Sequence, residues 1–125
     1  MSRMSDNSID LVVTSPPYDN LRAYNDSVDL SWGAGVWEPI LADLARVIKD
    51  GGVIVWIVND ATIDGSKTGS SFRQALHAMD CGLRLHDSMI WVKTGGGAIG
   101  GGYTYTQNTE YMFIFSKGRP STFNP

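Results

Sequence analysis

Two short apolar segments on either side of an amphipathic one constrain the fold of this 125-residue chain most strongly. Ser8–Thr14 and Gly52–Val58 are rich in β-branched residues and are bounded by polar residues, glycine or proline, a pattern typical of buried strands. Between them, residues 36–52 place apolar side chains at helical spacing, with Pro39 in the first turn and Gly51 as the stop. Strand, helix and strand in this order predict a right-handed crossover with two parallel strands.

A second helix is predicted after a polar loop over residues 59–69. Ser71 and Gln74 have the spacing of a capping box, which opens a helix, and Gly82 closes it. The apolar stripe expected to face the core consists of Phe72, Ala75, Leu76 and Met79.

Two more strands complete the predicted sheet. Leu83–Trp91 shows partial alternation, and Glu110–Lys117 follows a glycine-rich loop over residues 95–102. Because no helix separates these strands, we expect them to pair antiparallel. The fold class is therefore α/β, a single domain over residues 1–125, with a partial Rossmann-like sheet of about four strands and flanking helices. Sheets of this fold class are normally covered on both faces, and about four strands is a small number for such a sheet.

Composition excludes several classes of protein. A net charge of −3 with scattered basic residues argues against strong independent binding to DNA, although DNA stays open as a substrate. Cys81 is the only cysteine, so an internal disulfide and a cysteine-based zinc site are excluded, and a buried structural thiol is favoured over a catalytic one. His77 and His86 lack ligand spacing, and no metal site is expected. Without an apolar run of eighteen residues or a signal sequence, a cytoplasmic protein is expected and no membrane partner.

The candidate site lies where the first two strands end. The first strand runs into Ser15, Pro16, Pro17 and Tyr18, and the second into Asn59 and Asp60. Parallel pairing brings both ends to one edge of the sheet, and open parallel sheets bind ligands beyond the carboxyl ends of their strands.

The chemistry of this corner suits a planar ligand that carries an amino group. Pro16 and Pro17 fix the backbone and remove two amide donors, so the corner presents carbonyl acceptors beside the Ser15 hydroxyl. Tyr18 adds a flat ring suited to stacking. The alternative is a proline turn that only ends the strand, with Tyr18 as packing.

The segment "DLVVTSPPY" closely resembles the catalytic motif of DNA methyltransferases that modify exocyclic amines, at adenine N6 or cytosine N4. "RVIKDGGVIVWIVND", "GLRLHDSMIWVK" and "TEYMFIFSKGRP" resemble later segments of the same family, in the same order. The resemblance therefore covers nearly the whole chain.

This resemblance implies a mechanism for the corner. The target base would be flipped out of the duplex and stacked on Tyr18. The Ser15 side chain and the Pro16 carbonyl would accept hydrogen bonds from the amine, and Pro17 would set the geometry. The amine nitrogen would then attack the methyl group of S-adenosylmethionine directly, without a covalent enzyme intermediate.

Four more residues are weaker candidates for binding the substrate. Asn59 and Asp60 would line the site, although Asn-Asp after a strand is usually only a turn. Arg22 and Tyr24 would contact the nucleic acid, for which a solvated loop is the alternative.

The chain departs from the family pattern in the segment that binds the cofactor. The segment Phe-x-Gly-x-Gly, by which these enzymes bind S-adenosylmethionine, is absent, so the cofactor-binding residues stay unknown. Residues 95–100 match G-x-G-x-x-G, but no amphipathic helix follows, and a hairpin loop is favoured over a phosphate cradle. The chain is interpreted as the catalytic half of a methyltransferase of the subgroup with the catalytic motif first.

Partners follow from this interpretation. DNA is the expected substrate, and the first strand, which would normally be central, would lie at an edge open to pairing. We expect either a homo-oligomer joined through Ile9–Val13 or a partner chain that supplies the cofactor-binding half. A non-catalytic remnant or subunit, and an unrelated small α/β binding protein, are the alternatives.

Overall fold

A computed structural model of the chain describes residues 1, 3–17, 34–95 and 105–124. The elements in chain order are β1 (Ile9–Thr14), α1 (Ala34–Val47), β2 (Ile48–Val58), β3 (Thr62–Ile63), β4 (Ser66–Lys67), α2 (Ser70–Asp80), β5 (Arg84–Val92) and β6 (Thr109–Ser116). β1, β2, β6 and β5 form one sheet in that order, and β3 pairs with β4 separately. β1 is parallel to β2, whereas β2–β6 and β6–β5 are antiparallel. This confirms the predicted α/β class, the parallel first pair and the antiparallel last pair.

The small β3–β4 hairpin lies where only a polar loop was predicted. Its turn residues Asp64 and Gly65 have φ values of 49° and 75°. Positive φ at both central positions is what the tightest hairpin turn requires, and Asp-Gly is a preferred sequence for it. The Asp-Gly pair between short polar segments was the signal that could have predicted it.

The core lies on one face of the sheet, beneath both helices. The stripe predicted for α1 is confirmed, since Trp37, Leu41 and Leu44 are buried. The cluster that these residues join consists of Trp37, Leu41, Leu44, Ala45, Ile48, Ile54, Trp56, Val58, Ala75, Ala78, Leu83, Phe113 and Phe115.

The end predicted for the first helix is wrong. α1 ends at Val47, and Ile48 already belongs to β2, whereas the pattern extended the helix to Gly51. The Ser8 amide donates to the Val47 carbonyl at 2.8 Å, and the Asn7 amide donates to the Arg46 carbonyl at 3.1 Å. These bonds satisfy carbonyls at the helix end, so the chain turns directly into the strand.

Gly51 and Gly52 lie inside β2 instead of after a helix. Gly51 has a φ of +81°, and a Cβ there would lie 2.8 Å from Ser121 Cβ. A Cβ on Gly52 would lie 2.6 Å from Ile48 Cγ1. The two glycines coincide with a register shift, because Ile9 is opposite Ile48 and Leu11 is opposite Val53. They therefore permit an irregular, closely packed segment of the strand.

The face predicted for α2 is also wrong. Its buried residues are Ser70, Ser71, Gln74, Ala75 and Ala78, whereas Phe72, Leu76 and Met79 are exposed. Polar contacts set the rotation of the helix, since Trp56 Nε1–H donates to Gln74 Oε1 at 2.8 Å in the buried core. Only Ala75 of the predicted stripe faces inward.

The predicted capping box does not form. Gly69 is the N-cap residue, with a φ of 70°, and makes no side-chain capping bond. Gln74 instead bonds to Trp56, and the Ser71 hydroxyl donates to Asp60 Oδ2 at 2.8 Å. The predicted end is confirmed, because Gly82 has a φ of 93° and its amide donates to the Met79 carbonyl at 2.9 Å.

The opposite face of the sheet has no covering element among residues 1, 3–17, 34–95 and 105–124. Leu11 and Val13 point to the side opposite Ile54 and Trp56, and they are 58% and 61% exposed. β1 also forms one edge of the sheet, with β2 as its neighbour. The main sheet therefore has four strands with β1 at its edge, as the sequence predicted.

Lys117 stabilises the end of α1. Its Nζ donates to Asn7 Oδ1 at 2.8 Å, to the Ala45 carbonyl at 2.9 Å and to the Ile48 carbonyl at 3.3 Å. We expect Lys117→Met to lower the free energy of unfolding by about 1–3 kcal/mol, because these acceptors lose a charged donor. Urea denaturation followed by far-ultraviolet circular dichroism measures the change.

Lys49→Met is the matched control. Lys49 Nζ lies 3.1 Å from Asp10 Oδ1, but both side chains are well exposed, so a change below about 0.5 kcal/mol is expected. Equal effects of the two substitutions would contradict the role of Lys117.

Candidate active site

Four strand ends meet at one edge of the sheet. β1 and β2 end there because they are parallel, with Thr14 opposite Trp56. β6 begins there and β5 ends there, with Val92 opposite Thr109. This edge therefore collects residues from four separate parts of the sequence, and we call it the site edge.

The predicted proline corner leads the site edge. Ser15 is exposed, Pro16 is buried and Pro17 is half-buried, directly after the last residue of β1. Tyr18, Arg22 and Tyr24, which the sequence also nominated, lie outside the described residues. The corner is at the edge where strand direction predicted it, and the roles of its residues stay predictions.

Asp60 organises the segment that follows β2. It is only 5% exposed, and its carboxylate accepts hydrogen bonds from the Ser71 amide and the Ser71 hydroxyl, both at 2.8 Å. The hydroxyls of Thr68 and Ser70 lie farther away, each 3.4 Å from Asp60 Oδ1. A carboxylate at the amino end of a helix satisfies backbone donors and matches the helix dipole. Asp60 thus has a structural role, and its predicted role in lining the site stays a prediction.

Asn59 connects two strands at the site edge. Its Nδ2 donates to the Thr109 carbonyl at 3.0 Å, and its Oδ1 accepts the Asp60 amide at 2.9 Å. The side chain is half-buried, and its amide ties the end of β2 to the start of β6. Contact between Asn59 and a substrate stays a prediction as well.

An ion pair at the site edge was missed from the sequence. Glu110 is 5% exposed and pairs with the Lys93 ammonium. Lys93 Nζ also lies 5.7 Å from the centroid of the Trp91 ring, and that tryptophan is 48% exposed. Trp91 and Lys93 share a strand face because they are two residues apart. The spacing of Trp91 and Lys93 could have predicted that these two side chains lie close together. The ion pair between Lys93 and Glu110 could not be predicted in this way, because it depends on β5 and β6 being neighbours in the sheet.

Cys81 lies away from this edge, after the carboxyl end of α2. Its Sγ is 3.4 Å from His77 Nε2. Burial, reinforced by the charges of Asp80 and Glu38, raises the pKa of the Cys81 thiol. A raised pKa keeps the thiol protonated near neutral pH, which favours the structural role over a catalytic one.

Comparison with known proteins adds the family to this geometry. The sequence model of a family described as DNA methylase, of the N6/N4 type, matches residues 9–125. This chain belongs to that DNA methylase family. It is 50% identical over 121 residues to the orphan methyltransferase M.BamHII of Bacillus amyloliquefaciens, across 97% of this chain and 43% of that protein. The methylase chain thus spans less than half the length of this relative.

Solved methyltransferase structures share the fold. TTHA0409 of Thermus thermophilus, in complex with S-adenosyl-L-methionine, superimposes with a TM-score of 0.68 at 19% identity, over 99% of this chain and 53% of that one. PvuII DNA methyltransferase, described as cytosine-N4-specific, superimposes with a TM-score of 0.67 at 18% identity, over 95% and 46%. At these identities the likeness concerns the fold, which confirms the methyltransferase-like sheet.

Both buried carboxylates at the site edge, Asp60 and Glu110, are bound within the protein. Within the described ranges, the one buried side-chain polar atom without a hydrogen-bond partner is Gln74 Nε2, which lies in the core beside Trp56. No group of three or more His, Cys, Asp or Glu residues among those described could hold a metal ion.

No helix within residues 1, 3–17, 34–95 and 105–124 combines the length and the apolar character that crossing a bilayer requires.

Proposed function

We propose that this chain supplies the base-binding corner for methylation of an exocyclic amine in DNA, at adenine N6 or cytosine N4. The family match over residues 9–125, which includes the proline corner, carries this proposal. The position of Ser15 at the site edge, where the residue is exposed, supports it, because a flipped base has to reach this corner from outside the protein. The reaction is proposed to take place in the cytoplasm.

The corner acts on the amine by accepting hydrogen bonds from its two N–H groups. Pro16 and Pro17 carry no amide hydrogen, so the prolines add no backbone donor beside the Ser15 hydroxyl and the Pro16 carbonyl, which act as acceptors. Hydrogen bonds to both N–H groups draw the nitrogen out of conjugation with the ring and expose its lone pair. Tyr18 holds the base by stacking, and S-adenosylmethionine supplies the methyl group when it is bound.

A partner segment is proposed to bind that cofactor. The chain covers 43% of M.BamHII and does not contain the segment Phe-x-Gly-x-Gly. Leu11 and Val13 leave apolar surface on β1, at the edge of the sheet. A second polypeptide that packs there would cover the open face and extend the sheet. Pairing of two copies through Ile9–Val13 is the alternative occupant of this edge.

A complementation assay tests the proposed function. Transfer of labelled methyl groups to DNA is measured for the chain alone and with the segment of M.BamHII that this chain does not match. We expect incorporation only in the mixture. Ser15→Ala should then lower the rate by about 10²-fold, the scale for loss of one prepositioned hydrogen-bonding group. Tyr18→Ala should weaken base binding about 10-fold or more through lost stacking.

Matched controls separate chemistry from folding in this assay. Ser88→Ala removes a hydroxyl and Phe123→Ala an aromatic ring at exposed positions outside the site edge, and both variants should retain full activity. An active mixture in which Ser15→Ala and Tyr18→Ala match these controls would contradict the proposal.

A non-catalytic remnant or subunit is the second candidate, and the absence of the segment Phe-x-Gly-x-Gly from the chain favours it. It predicts no calorimetric binding of S-adenosylmethionine even when the M.BamHII segment is present. Binding by the mixture would exclude it. The third alternative, an unrelated small α/β binding protein, is wrong, because the chain belongs to the DNA methylase family.

A further inference from the structure

The outer surface of α2 carries large apolar side chains that are exposed. Phe72, Leu76 and Met79 are 52%, 62% and 45% exposed. Positions four and seven residues apart lie on one side of a helix, so the three side chains form a single stripe. The opposite side of the helix is buried through small and polar residues such as Ala75, Ala78 and Ser71. A stripe of this kind is typical of an interface between helices and not of a solvated helix face.

The stripe continues onto the sheet. The Phe72 ring lies 5.2 Å from the Tyr111 ring, measured between centroids. Tyr111 is directly opposite Ile90 on β5, so both side chains project from the same face, and Ile90 is 51% exposed. We call Phe72, Leu76, Met79 and Ile90 the α2 surface. It lies on the helix-covered face of the sheet and is separate from the apolar residues Leu11 and Val13 on the other face.

The charges beside the stripe are arranged for self-pairing. Arg73 lies near the amino end of α2 and Asp80 is its last residue, and both are exposed. Seven residues are nearly two full helical turns, so Arg73 and Asp80 lie on one line along the helix, about 10 Å apart. Leu76 lies between them along the helix. An antiparallel copy of the helix would bring Arg73 of each copy to Asp80 of the other.

We propose that the α2 surface is the interface of a homodimer with two-fold symmetry, in which the two α2 helices pack antiparallel. The apolar stripe forms the centre, and two Arg73–Asp80 ion pairs flank it. A parallel arrangement would place like charges together at both ends and is disfavoured. The proposed interface uses none of the residues assigned to the site edge, so the proposal does not depend on the proposed function.

Sedimentation equilibrium of the whole chain and its variants tests the proposal. We expect the native chain to have twice the monomer mass of 13.6 kDa, and Leu76→Glu to be monomeric with an unchanged circular dichroism spectrum. Arg73→Glu and Asp80→Arg should each raise the dimer dissociation constant at least tenfold. The double variant Arg73→Glu/Asp80→Arg should return it to within about threefold of the native value, because it restores both ion pairs with reversed sign.

The charge reversals are compatible with the folded helix. They place an acid near the amino end and a base at the carboxyl end of α2, which agrees with the helix dipole. Arg73 Nη1 also donates to the Thr68 carbonyl at 2.8 Å, an exposed contact that is lost in both Arg73→Glu and the double variant. Restored dimerisation in the double variant therefore reports on the interface and not on that contact.

Several results would overturn the proposal. A monomeric native chain would do so, as would a dimer that survives Leu76→Glu. If Leu11→Lys made the chain monomeric while Leu76→Glu left the dimer intact, the interface between the two copies would lie at β1 instead. If Leu76→Glu abolished binding of the M.BamHII segment, the α2 surface would belong to the partner segment and not to a second copy.

Discussion

Trp56→Ala is expected to lower the free energy of unfolding by about 3–5 kcal/mol, the range for loss of a buried aromatic side chain. Trp56 is 1% exposed and lies in the core between the sheet and the helices. Its Nε1–H donates to Gln74 Oε1, whereas Gln74 Nε2 has no hydrogen-bond partner among the described residues. The variant therefore leaves a cavity and a fully buried amide with neither of its groups bonded.

Urea denaturation with a fluorescence or circular dichroism signal measures this change. Trp91→Ala is the matched control, because Trp91 is 48% exposed and should cost less than about 1 kcal/mol. Trp56→Phe should be intermediate, since it keeps most of the volume and loses the hydrogen bond. A cost for Trp56→Ala no larger than that for Trp91→Ala would contradict the central position of Trp56. Thr14 is opposite Trp56, so the loss is also expected to loosen the strand that carries the proline corner.

Asp60→Ala is expected to lower the free energy of unfolding by about 2–4 kcal/mol. The carboxylate is buried and accepts the Ser71 amide and hydroxyl at 2.8 Å. Its removal leaves both donors buried without their partner and removes a negative charge from the amino end of α2. Hydrogen exchange measured by nuclear magnetic resonance should also show faster exchange of the Ser71 amide.

Two variants control for the Asp60 prediction. Asp60→Asn keeps one carbonyl oxygen as an acceptor and should cost about 1 kcal/mol. Asp50→Ala removes an exposed carboxylate from β2 and should change stability by less than about 0.5 kcal/mol. If Asp60→Ala and Asp50→Ala cost the same, Asp60 does not cap α2 in solution.

Strand identity and strand direction were predictable from local patterns. Ser8–Thr14 and Gly52–Val58 were assigned as parallel strands because β-branched runs flank a helical pattern, and β1 and β2 are parallel. The same direction implied that the proline corner and Asn59-Asp60 share an edge, as observed. The family assignment also rested on sequence, since the proline corner and the segments after it are contiguous motifs.

The rotation of α2 could not be predicted from hydrophobicity. Phe72, Leu76 and Met79 form the more apolar side of the helix, yet the buried side carries Gln74 and Ser71. Each of these two polar residues has a partner distant in sequence, Trp56 and Asp60, so that burying them costs little. A prediction from hydrophobic periodicity assumes that polar residues are exposed. It does not take into account hydrogen-bond partners that are distant in sequence.

The sequence by itself determined the four strands of the main sheet, the two helices and the direction of the first two strands, because these depend on neighbouring residues. Tertiary structure alone decided that β6 lies between β2 and β5. That order brings Lys93 to Glu110 at the site edge, and the partners of Gln74 and Asp60 turn the apolar side of α2 outward. The physical reason is that a buried polar group is stable only beside its partner, and in this chain those partners lie 11 to 18 residues apart.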